Sequence, residues 1–416
     1  MSPERRPQET CSIRSLRNGR FPKTDFISPV LNLSSHNIYT NQVELLTLQN
    51  ALKTELEGLQ PIEKGVLGFD GFIDSMIRFR NPESMSSFGP AVAKAAGIAT
   101  SAVVEHQGEQ MGGNGPLLTS ALGTLARDLG ELHYMGALGL PDIHSLYQEG
   151  LASKVTSMSS FANPSRSDCL EFNDGKVMLS DFKPGDDITW TNLLKEVGEE
   201  KVFSLLQQAK FLVAVNWGKV PDATDLWRNC IKKWSSLTGE TKRLFFMDLA
   251  EFSTSSDADK KRLPQLMEDV SALTKSVLSL NLKEAWQFAH LYGLDFFDQK
   301  EPEAVADCAI AIRKASGLDQ VIIHPNQGAT LAHSDGAVWV QGPHCSDPLI
   351  STGAGDHFGA GLLLGLLQNL SPASSLLLGN STSGFFVRTG KSPSPQDLIH
   401  LLELWKNETL KDRIPN

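Results

Sequence analysis

The chain has 416 residues, of which 41% are hydrophobic and 21% charged, and its formal net charge is −10. This composition is sufficient for a large apolar core, and the negative charge without a basic, aromatic stripe argues against nucleic acid as a main partner. Five scattered cysteines without a Cys-X-X-Cys pair indicate a reducing compartment rather than disulfides or a zinc site. No apolar run reaches the length of a membrane span. We therefore expect a cytoplasmic protein.

The chain begins with a polar segment. Residues 1–41 contain five arginines among Ser, Pro and Asn, and they lack the apolar stretch of a secretory signal. A poorly ordered tail is the preferred interpretation, because Glu4, Glu9 and Asp25 are unusual in an organelle transit peptide, which is the alternative. Residues 42–416 are predicted to form a single domain that starts with a helix at residues 42–59.

From residue 64 onward, short apolar runs alternate with amphipathic stretches. The predicted strands cover residues 65–69, 133–137, 211–215, 244–247, 277–280 and 321–324. The predicted helices cover residues 117–129, 192–208, 223–234, 260–273, 283–291, 303–315, 358–369, 373–386 and 396–405. This alternation predicts a doubly wound α/β fold with a mostly parallel sheet. Ligands of such folds bind at the carboxyl ends of the strands, so motifs directly after strands are the first candidates for a site.

Two segments interrupt the alternation. Residues 78–112 show no clear helical pattern before about residue 91. Residues 165–183 contain Asn173-Asp174-Gly175 between two apolar runs, which is typical of a β-hairpin with an Asp-Gly turn. We therefore predict a small β-rich lid over the main sheet, built from segments near residues 78–112 and 165–183.

Two aspartates follow the first predicted strand of the sheet. An acid in this place can accept hydrogen bonds from two adjacent hydroxyls of a polyol. Asp70 stands next to a glycine and is explained as a residue that stabilises a turn. Asp74 follows two apolar residues and is the better candidate for substrate binding.

A glycine-rich segment opens the helix predicted at residues 117–129. Gly112 and Gly113 would let a substrate lie against bare backbone, and the carboxamide of Asn114 both donates and accepts hydrogen bonds. The alternative is a glycine-rich helix start without any role in binding.

The strand predicted at residues 277–280 is followed by Asn281-Leu282-Lys283-Glu284. Asn281 and Glu284 have the spacing of a capping box at the start of a helix. The same pair could hold a hydrated Mg²⁺ near nucleotide phosphates, because this ion keeps most of its water ligands. Taken alone, the four residues favour capping.

The most informative segment is Thr352-Gly353-Ala354-Gly355-Asp356, directly before a long apolar helix. The free amides and the dipole at the start of a helix bind anions. Asp356 would lie at the mouth of this pocket, where an acceptor hydroxyl loses its proton. An anion site beside a carboxylate base suits phosphoryl transfer to an alcohol, whereas an aspartate that only caps the helix is the alternative.

The order of these four motifs, over about residues 64–405, resembles the PfkB carbohydrate kinases of the ribokinase-like superfamily. The resemblance implies an α/β kinase core with a β-rich lid, ATP as the usual donor and Mg²⁺ as cofactor. It also implies roles for particular residues: Asp356 as catalytic base, Gly353, Ala354 and Gly355 as the anion hole, Asn281 and Glu284 in the Mg²⁺ and phosphate network, and Asp74, Gly112, Gly113 and Asn114 in binding a small hydroxylated substrate.

Three departures from the family pattern affect the ligands rather than the reaction. Ile350-Ser351 stand where the family usually has an acid or Asn shortly before the Thr-Gly. Asn114 and Leu117 stand where the sugar kinases usually have a Lys and an Asn. On the adenine side the family usually has a Gly soon after the strand, whereas this chain reads His324-Pro325-Asn326-Gln327-Gly328. Residues 68–74 are similar to those of the ADP-dependent sugar kinases, so ADP stays open as donor. A nucleoside kinase and a non-catalytic ligand-binding protein are the alternative functions. Lids in this superfamily often pair, which leaves a homodimer open.

Overall fold

The computed structural model of the chain describes residues 36–239 and 241–414. Its strands are β1 (His36–Tyr39), β2 (Gly65–Phe69), β3 (Phe72–Asn81), β4 (Val103–Gly112), β5 (Leu132–Gly136), β6 (Ser157–Ser160), β7 (Ser165–Phe172), β8 (Gly175–Asp181), β9 (Phe211–Val215), β10 (Leu244–Asp248), β11 (Lys275–Leu280), β12 (Gln320–Ile323), β13 (Gly328–His333) and β14 (Gly336–Gln341). Its helices are α1 (Gln42–Glu57), α2 (Met85–Lys94), α3 (Asn114–Leu125), α4 (Ser145–Leu151), α5 (Trp190–Leu193), α6 (Glu199–Gln208), α7 (Ala223–Thr238), α8 (Asp257–Leu273), α9 (Leu282–Leu291), α10 (Pro302–Ser316), α11 (Ala354–Leu367), α12 (Pro372–Thr389) and α13 (Pro395–Lys406).

The main sheet has ten strands in the order β1-β14-β13-β12-β11-β10-β9-β2-β5-β6. Among the ten strands of this sheet, only β13 runs antiparallel to its neighbours, and every other adjacent pair is parallel. Along β9, Leu212 and Ala214 belong to one hydrophobic core while Phe211, Val213 and Val215 belong to a second. The sheet is therefore buried on both faces, which explains the continuous apolar runs of its strands and confirms the doubly wound, mostly parallel fold.

A second sheet, in the order β4-β3-β7-β8, is the predicted β-rich lid. Strands β7 and β8 form the predicted hairpin, in which Phe172 pairs with Gly175 across a two-residue loop. Phe79, Leu170 and Phe172 form a small core of its own for this sheet. The lid begins at Phe72 rather than near residue 78, because β3 starts only two residues after β2 ends and moves directly from one sheet to the other.

The edge of the main sheet contains three strands that the sequence pattern did not reveal. Strand β1 lies within the predicted tail and pairs in parallel with β14, and His36 Nε2 is 2.8 Å from Asp307 Oδ1. Residues 1–35 of the predicted tail lie outside the described residues. Strands β13 and β14 form a hairpin around Ser334-Asp335, so the dipeptide Asp335-Gly336 was an available turn signal. Across the two described ranges, no helix combines the length and the apolar character needed to cross a membrane.

Candidate active site

The carboxyl ends of the central strands meet beneath the lid at a cleft of about 950 Å³. Residues directly after the strands, or at their last position, form its floor: Asn216 after β9, Asp248 at the end of β10, Asn281 after β11 and His324 after β12. The cleft is lined by all the residues predicted for the site, except Gly112 and Ala354. The fold therefore brings together motifs that are far apart in the sequence.

The start of α11 forms one end of the cleft. Gly353 precedes the helix with φ = 88°, a left-handed conformation that glycine adopts without strain. The amide of Ala354 donates to the carbonyl of Ser351 at 3.2 Å, and this bond occupies the one amide of the predicted anion hole that does not face the cleft. The amides of Gly353 and Gly355 have no acceptor within the described residues, so they remain able to bind an anion.

Asp356 lies in the first turn of α11 and faces the cleft. Burial raises the pKa of its carboxyl well above the ordinary value, and the carboxylates of Asp248, Asp70 and Glu284 raise it further, whereas the nearby Asn114 side chain lowers it. A carboxylate with a raised pKa is a stronger base than an exposed aspartate, provided that it is ionised at the working pH.

Asp70 lies beneath the cleft and has a structural role. Its carboxylate accepts hydrogen bonds from the amides of Asn114 and Gly115, both at 2.9 Å, and from Asn216 Nδ2 at 2.6 Å. Because two of these donors are the first amides of α3, Asp70 holds the start of that helix, as the turn-stabilising interpretation predicts.

Asp74, in contrast, belongs to β3 of the lid and lines the cleft. It is 7% exposed, and its carboxylate has no hydrogen bond to any described residue. Burial raises its pKa to about 6, although Lys176 has an opposing effect. Gly112 lies against this side chain, since a Cβ at that position would be 2.5 Å from Asp74 Oδ2. Gly112 therefore makes room for the carboxylate rather than lining the cleft itself.

The Asn281–Glu284 pair forms a capping box and also lines the cleft. The amide of Asn281 donates to Glu284 Oε2 at 3.0 Å, its Nδ2 donates to Oε1 at 2.6 Å, and the Glu284 amide donates to Asn281 Oδ1 at 3.0 Å. Burial and the neighbouring Asp248 raise the pKa of Glu284 to about 8. Asp248 itself has its pKa raised to about 6 by burial, while its Oδ1 accepts from the amide of Ala250 at 3.0 Å.

Two charged residues of the cleft wall were missed in the sequence. Lys219 Nζ lies 3.1 Å from Glu251 Oε2 and 5.6 Å from the centre of the Phe182 ring in the lid. Burial raises the pKa of Glu251, but bonds from Ser253 and Lys219 outweigh it and lower the pKa to about 2. Both residues follow strands β9 and β10 by a few positions, and this placement was the available signal.

Two aromatic side chains near strand ends are packed into the protein. Trp217 Nε1 donates to Thr224 Oγ1 at 2.9 Å, and the ring packs edge-to-face on Phe252, so Trp217 is a packed loop residue. The ring of His324 stacks on Phe358 with centroids 4.6 Å apart, and burial lowers its pKa to about 4. His324 is thus a neutral ring beside the start of α11.

The site combines free helix amides, a basic carboxylate and an unbonded acid on the lid, an arrangement suited to transfer of an anionic group to a hydroxyl. In residues 36–239 and 241–414, no three His, Cys, Asp or Glu side chains are placed to hold a metal ion together.

Comparison with known proteins identifies the family. The family model described as prokaryotic ketohexokinase matches residues 47–405. The chain belongs to the prokaryotic ketohexokinase family. A curated ketohexokinase from Haloferax volcanii is 27% identical over 353 residues, covering 80% of this chain and 89% of the relative.

Solved structures agree on the fold. Ribokinase from Thermotoga maritima superimposes with a TM-score of 0.60 at 14% identity, over 82% of this chain and 99% of the other. Arabidopsis thaliana ribokinase, complexed with ribose and ATP, gives a TM-score of 0.58 at 15% identity, over 83% and 99%. The resemblance to PfkB carbohydrate kinases is confirmed, and this member of the ketohexokinase family is a sugar kinase with a ribokinase-like fold.

Proposed function

We propose that the protein transfers the γ-phosphate of ATP, with Mg²⁺, to a hydroxyl of a small sugar, and that a ketohexose is the first acceptor to test. The acceptor class is supported by the family model and by the ketohexokinase from Haloferax volcanii. The observation that carries the reaction is the position of Asp356 at the start of α11, in one cleft with Asp74, Asn281 and Glu284.

In this proposal the sugar lies between the lid and α11. Asp74 and Asn114 would hold its hydroxyls, and Asp356 would accept the proton of the attacking hydroxyl. As the new oxygen–phosphorus bond forms, the bond between the γ-phosphorus and its bridging oxygen breaks, and ADP leaves with the electron pair. The free amides of Gly353 and Gly355 would stabilise charge on the transferred group, which is usually the larger contribution. The lid would exclude water and so prevent hydrolysis.

The residues on the nucleotide side fit a hydrated Mg²⁺. Glu284 and Asp248 are neighbouring buried carboxylates with raised pKa values, a combination that a divalent cation stabilises. Asn281 and Glu284 would hold the ion through its water ligands, because their side chains are already bonded to each other. When bound, the ion neutralises phosphate charge. The Asn281–Glu284 bonds keep this part of the wall in place without it.

The proposal is tested by measuring donor consumption with a panel of ketohexoses, aldoses and nucleosides, with ATP or ADP as donor and with or without Mg²⁺. We expect consumption of ATP that depends on a ketohexose and on Mg²⁺, with one phosphate added per sugar by mass spectrometry. Activity with ADP but not with ATP would show that ADP is the phosphoryl donor. Absence of turnover with every acceptor would contradict the proposed function.

Asp356→Asn tests the base directly. We expect the variant to fold normally and to lose about 100-fold or more in kcat, since general base catalysis contributes roughly 10²–10⁴-fold. Asp335→Asn is the matched control, because the Asp335 side chain is 86% exposed on the β13–β14 turn. Near-normal turnover of Asp356→Asn, with circular dichroism like that of the control, would remove Asp356 from the mechanism.

One observation favours a nucleoside kinase as the second candidate. Phe182 lies at the end of the lid, lines the cleft and is 37% exposed, so its ring is available to stack on a base. The nucleosides in the acceptor panel decide between the two, and Phe182→Leu should raise KM for a nucleoside more than for a ketohexose.

A further inference from the structure

A second cavity, of about 410 Å³, adjoins the main cleft. Asp74, Leu117 and Thr352 line both spaces, so the two meet at the proposed acceptor position. We call this second space the basic cavity, because of the residues described next.

Three cationic side chains from separate parts of the chain line the basic cavity. Arg127 follows α3, Lys154 follows α4 and Lys391 follows α12. Throughout residues 36–239 and 241–414, none of the three has an ion-pair partner, whereas Lys219 in the main cleft is paired with Glu251. Asp74, at the junction, is the one carboxylate among the described residues that line the basic cavity. Three cations beside a single carboxylate give the cavity a local excess of positive charge on a protein with a net charge of −10.

Lys154 is the central cation of this group. It is half-buried, and its Nζ donates to Ser120 Oγ at 2.6 Å. Burial lowers its pKa, and Arg127 lowers it further, so these two cations repel each other. Burial also lowers the pKa of His357 to about 4; the carbonyl of Gly353 opposes this shift, and Lys154 adds to it. The positive charge of the cavity is thus not neutralised by the protein.

The three cations suit an anion with several oxygens. The hydroxyls of Ser120, Thr124 and Ser392 also line the cavity, but each already donates within the protein: Ser120 to the carbonyl of Gly150, Thr124 to the carbonyl of Ser120, and Ser392 to His357 Nε2. Ammonium and guanidinium groups bind phosphate and carboxylate through short, charge-assisted hydrogen bonds. An oxyanion would supply the negative charge that the described protein groups do not.

We propose that the basic cavity binds an oxyanion, a phosphate or carboxylate group, next to the acceptor position. The site rests on the proposed function in one respect, namely that the acceptor lies at Asp74. The oxyanion has two sources with the same chemistry: a free anion such as inorganic phosphate, or an anionic group on the acceptor, at the end away from the transferred phosphate.

The first experiment is a calorimetric titration of inorganic phosphate into the full chain at low ionic strength, without sugar or nucleotide. We expect binding that Lys154→Met weakens about tenfold or more and that added salt also weakens. Lys314→Met is the matched control, because Lys314 is exposed on α10 and lines neither cavity. If Lys154→Met does not fold, Lys391→Met replaces it, since Lys391 is an exposed loop residue.

The second experiment compares the KM of fructose, fructose 6-phosphate and a 2-keto sugar acid in the same variants. A rise of about tenfold in KM for a charged sugar, with KM for fructose unchanged, assigns the oxyanion to the acceptor. Phosphate binding that depends on Lys154, without turnover of charged sugars, assigns the cavity to a free anion. If phosphate binding and every KM are the same in wild type, Lys154→Met and Lys314→Met, the proposal is wrong. The titration needs no turnover, so it remains readable even if the proposed function fails.

Discussion

Asp70 and Asp74 are four positions apart, and their surroundings explain why one is structural and the other available to a ligand. The oxygens of Asp70 accept bonds from two amides and from the Asn216 carboxamide. No described residue bonds to the carboxylate of Asp74, although it is nearly as buried. Burying a carboxylate without partners costs free energy, and such a cost is typical of groups that meet a ligand.

Replacing Asp70 should therefore destabilise the protein strongly. In Asp70→Ala, two backbone amides and the Asn216 carboxamide lose their acceptor, and we expect the free energy of unfolding to fall by about 3 kcal/mol or more. Chemical denaturation measures this change. Asp74→Asn is the matched variant; we expect unchanged or higher stability, because Asp74 has no hydrogen bonds to lose, together with a large rise in KM for the acceptor. Equal losses of stability in the two variants would contradict the roles assigned here.

Helices α11 and α12 pack closely because glycines face the partner helix. A Cβ at Gly361 would contact Thr382 Oγ1 and lie 2.7 Å from the carbonyl oxygen of Leu378, and a Cβ at Gly379 would lie 2.9 Å from the Phe358 ring. Since α11 begins at the proposed transfer site, this contact fixes the position of Asp356 relative to the sheet.

Gly361→Ala should disturb both packing and catalysis. We expect a loss of about 1–3 kcal/mol in the free energy of unfolding, because the helices must separate to admit the methyl group, and a lower kcat, because α11 moves. Gly58→Ala is the control; Gly58 is exposed directly after α1 with φ = −110°, and a Cβ there would lie 3.5 Å from the carbonyl oxygen of Thr54, an ordinary contact, so the change should be close to neutral. Thermal unfolding and kcat of the two variants, measured side by side, check this, and a neutral Gly361→Ala would contradict it.

Strands buried on both faces were the easiest elements to predict. The runs at residues 65–69 and 211–215 coincide with β2 and β9, because continuous burial leaves a continuous apolar signal. Strand β4 was predicted only as part of the β-rich segment near residues 78–112, without bounds of its own, since it is mostly exposed and polar and has no alternation to detect. This strand lies at one edge of the lid sheet. Pairing of two lids into a homodimer stays a prediction.

Charge placement could be predicted only in part. The strand-end rule led to Asp74 and Asn281, and the glycine-rich start of a helix led to Asp356, because each is close to a motif with a local signal. The mutual effect of Asp248, Glu284 and Asp356 on their pKa values arises from tertiary structure. The basic cavity also arises only from tertiary structure, because its three cations come from separate segments that carry no motif.

The carboxylates that raise the pKa of Asp356 should affect the pH dependence of activity. Asp356 must be ionised to act as a base, so kcat/KM should fall as the pH drops below its pKa, and this fall should lie at higher pH than for an ordinary aspartate. Asp248→Asn removes one of the charges that raise this pKa, so the acidic limb should move to lower pH. Profiles of kcat/KM at saturating ATP measure the shift. An unmoved limb, in a variant that folds like Asp335→Asn, would show that Asp248 does not set this pKa.

The shared position of Asp74 has a consequence for how a substrate enters. On one side of this carboxylate lie the acids around Asp356, and on the other lie Lys154 and its neighbours. The two sides of this space thus differ chemically: toward α11 it offers free amides and carboxyl groups, and toward the loop after α12 it is positive. A molecule with a neutral hydroxyl at one end and a negative charge at the other would be admitted in a single orientation, with the correct oxygen presented for reaction.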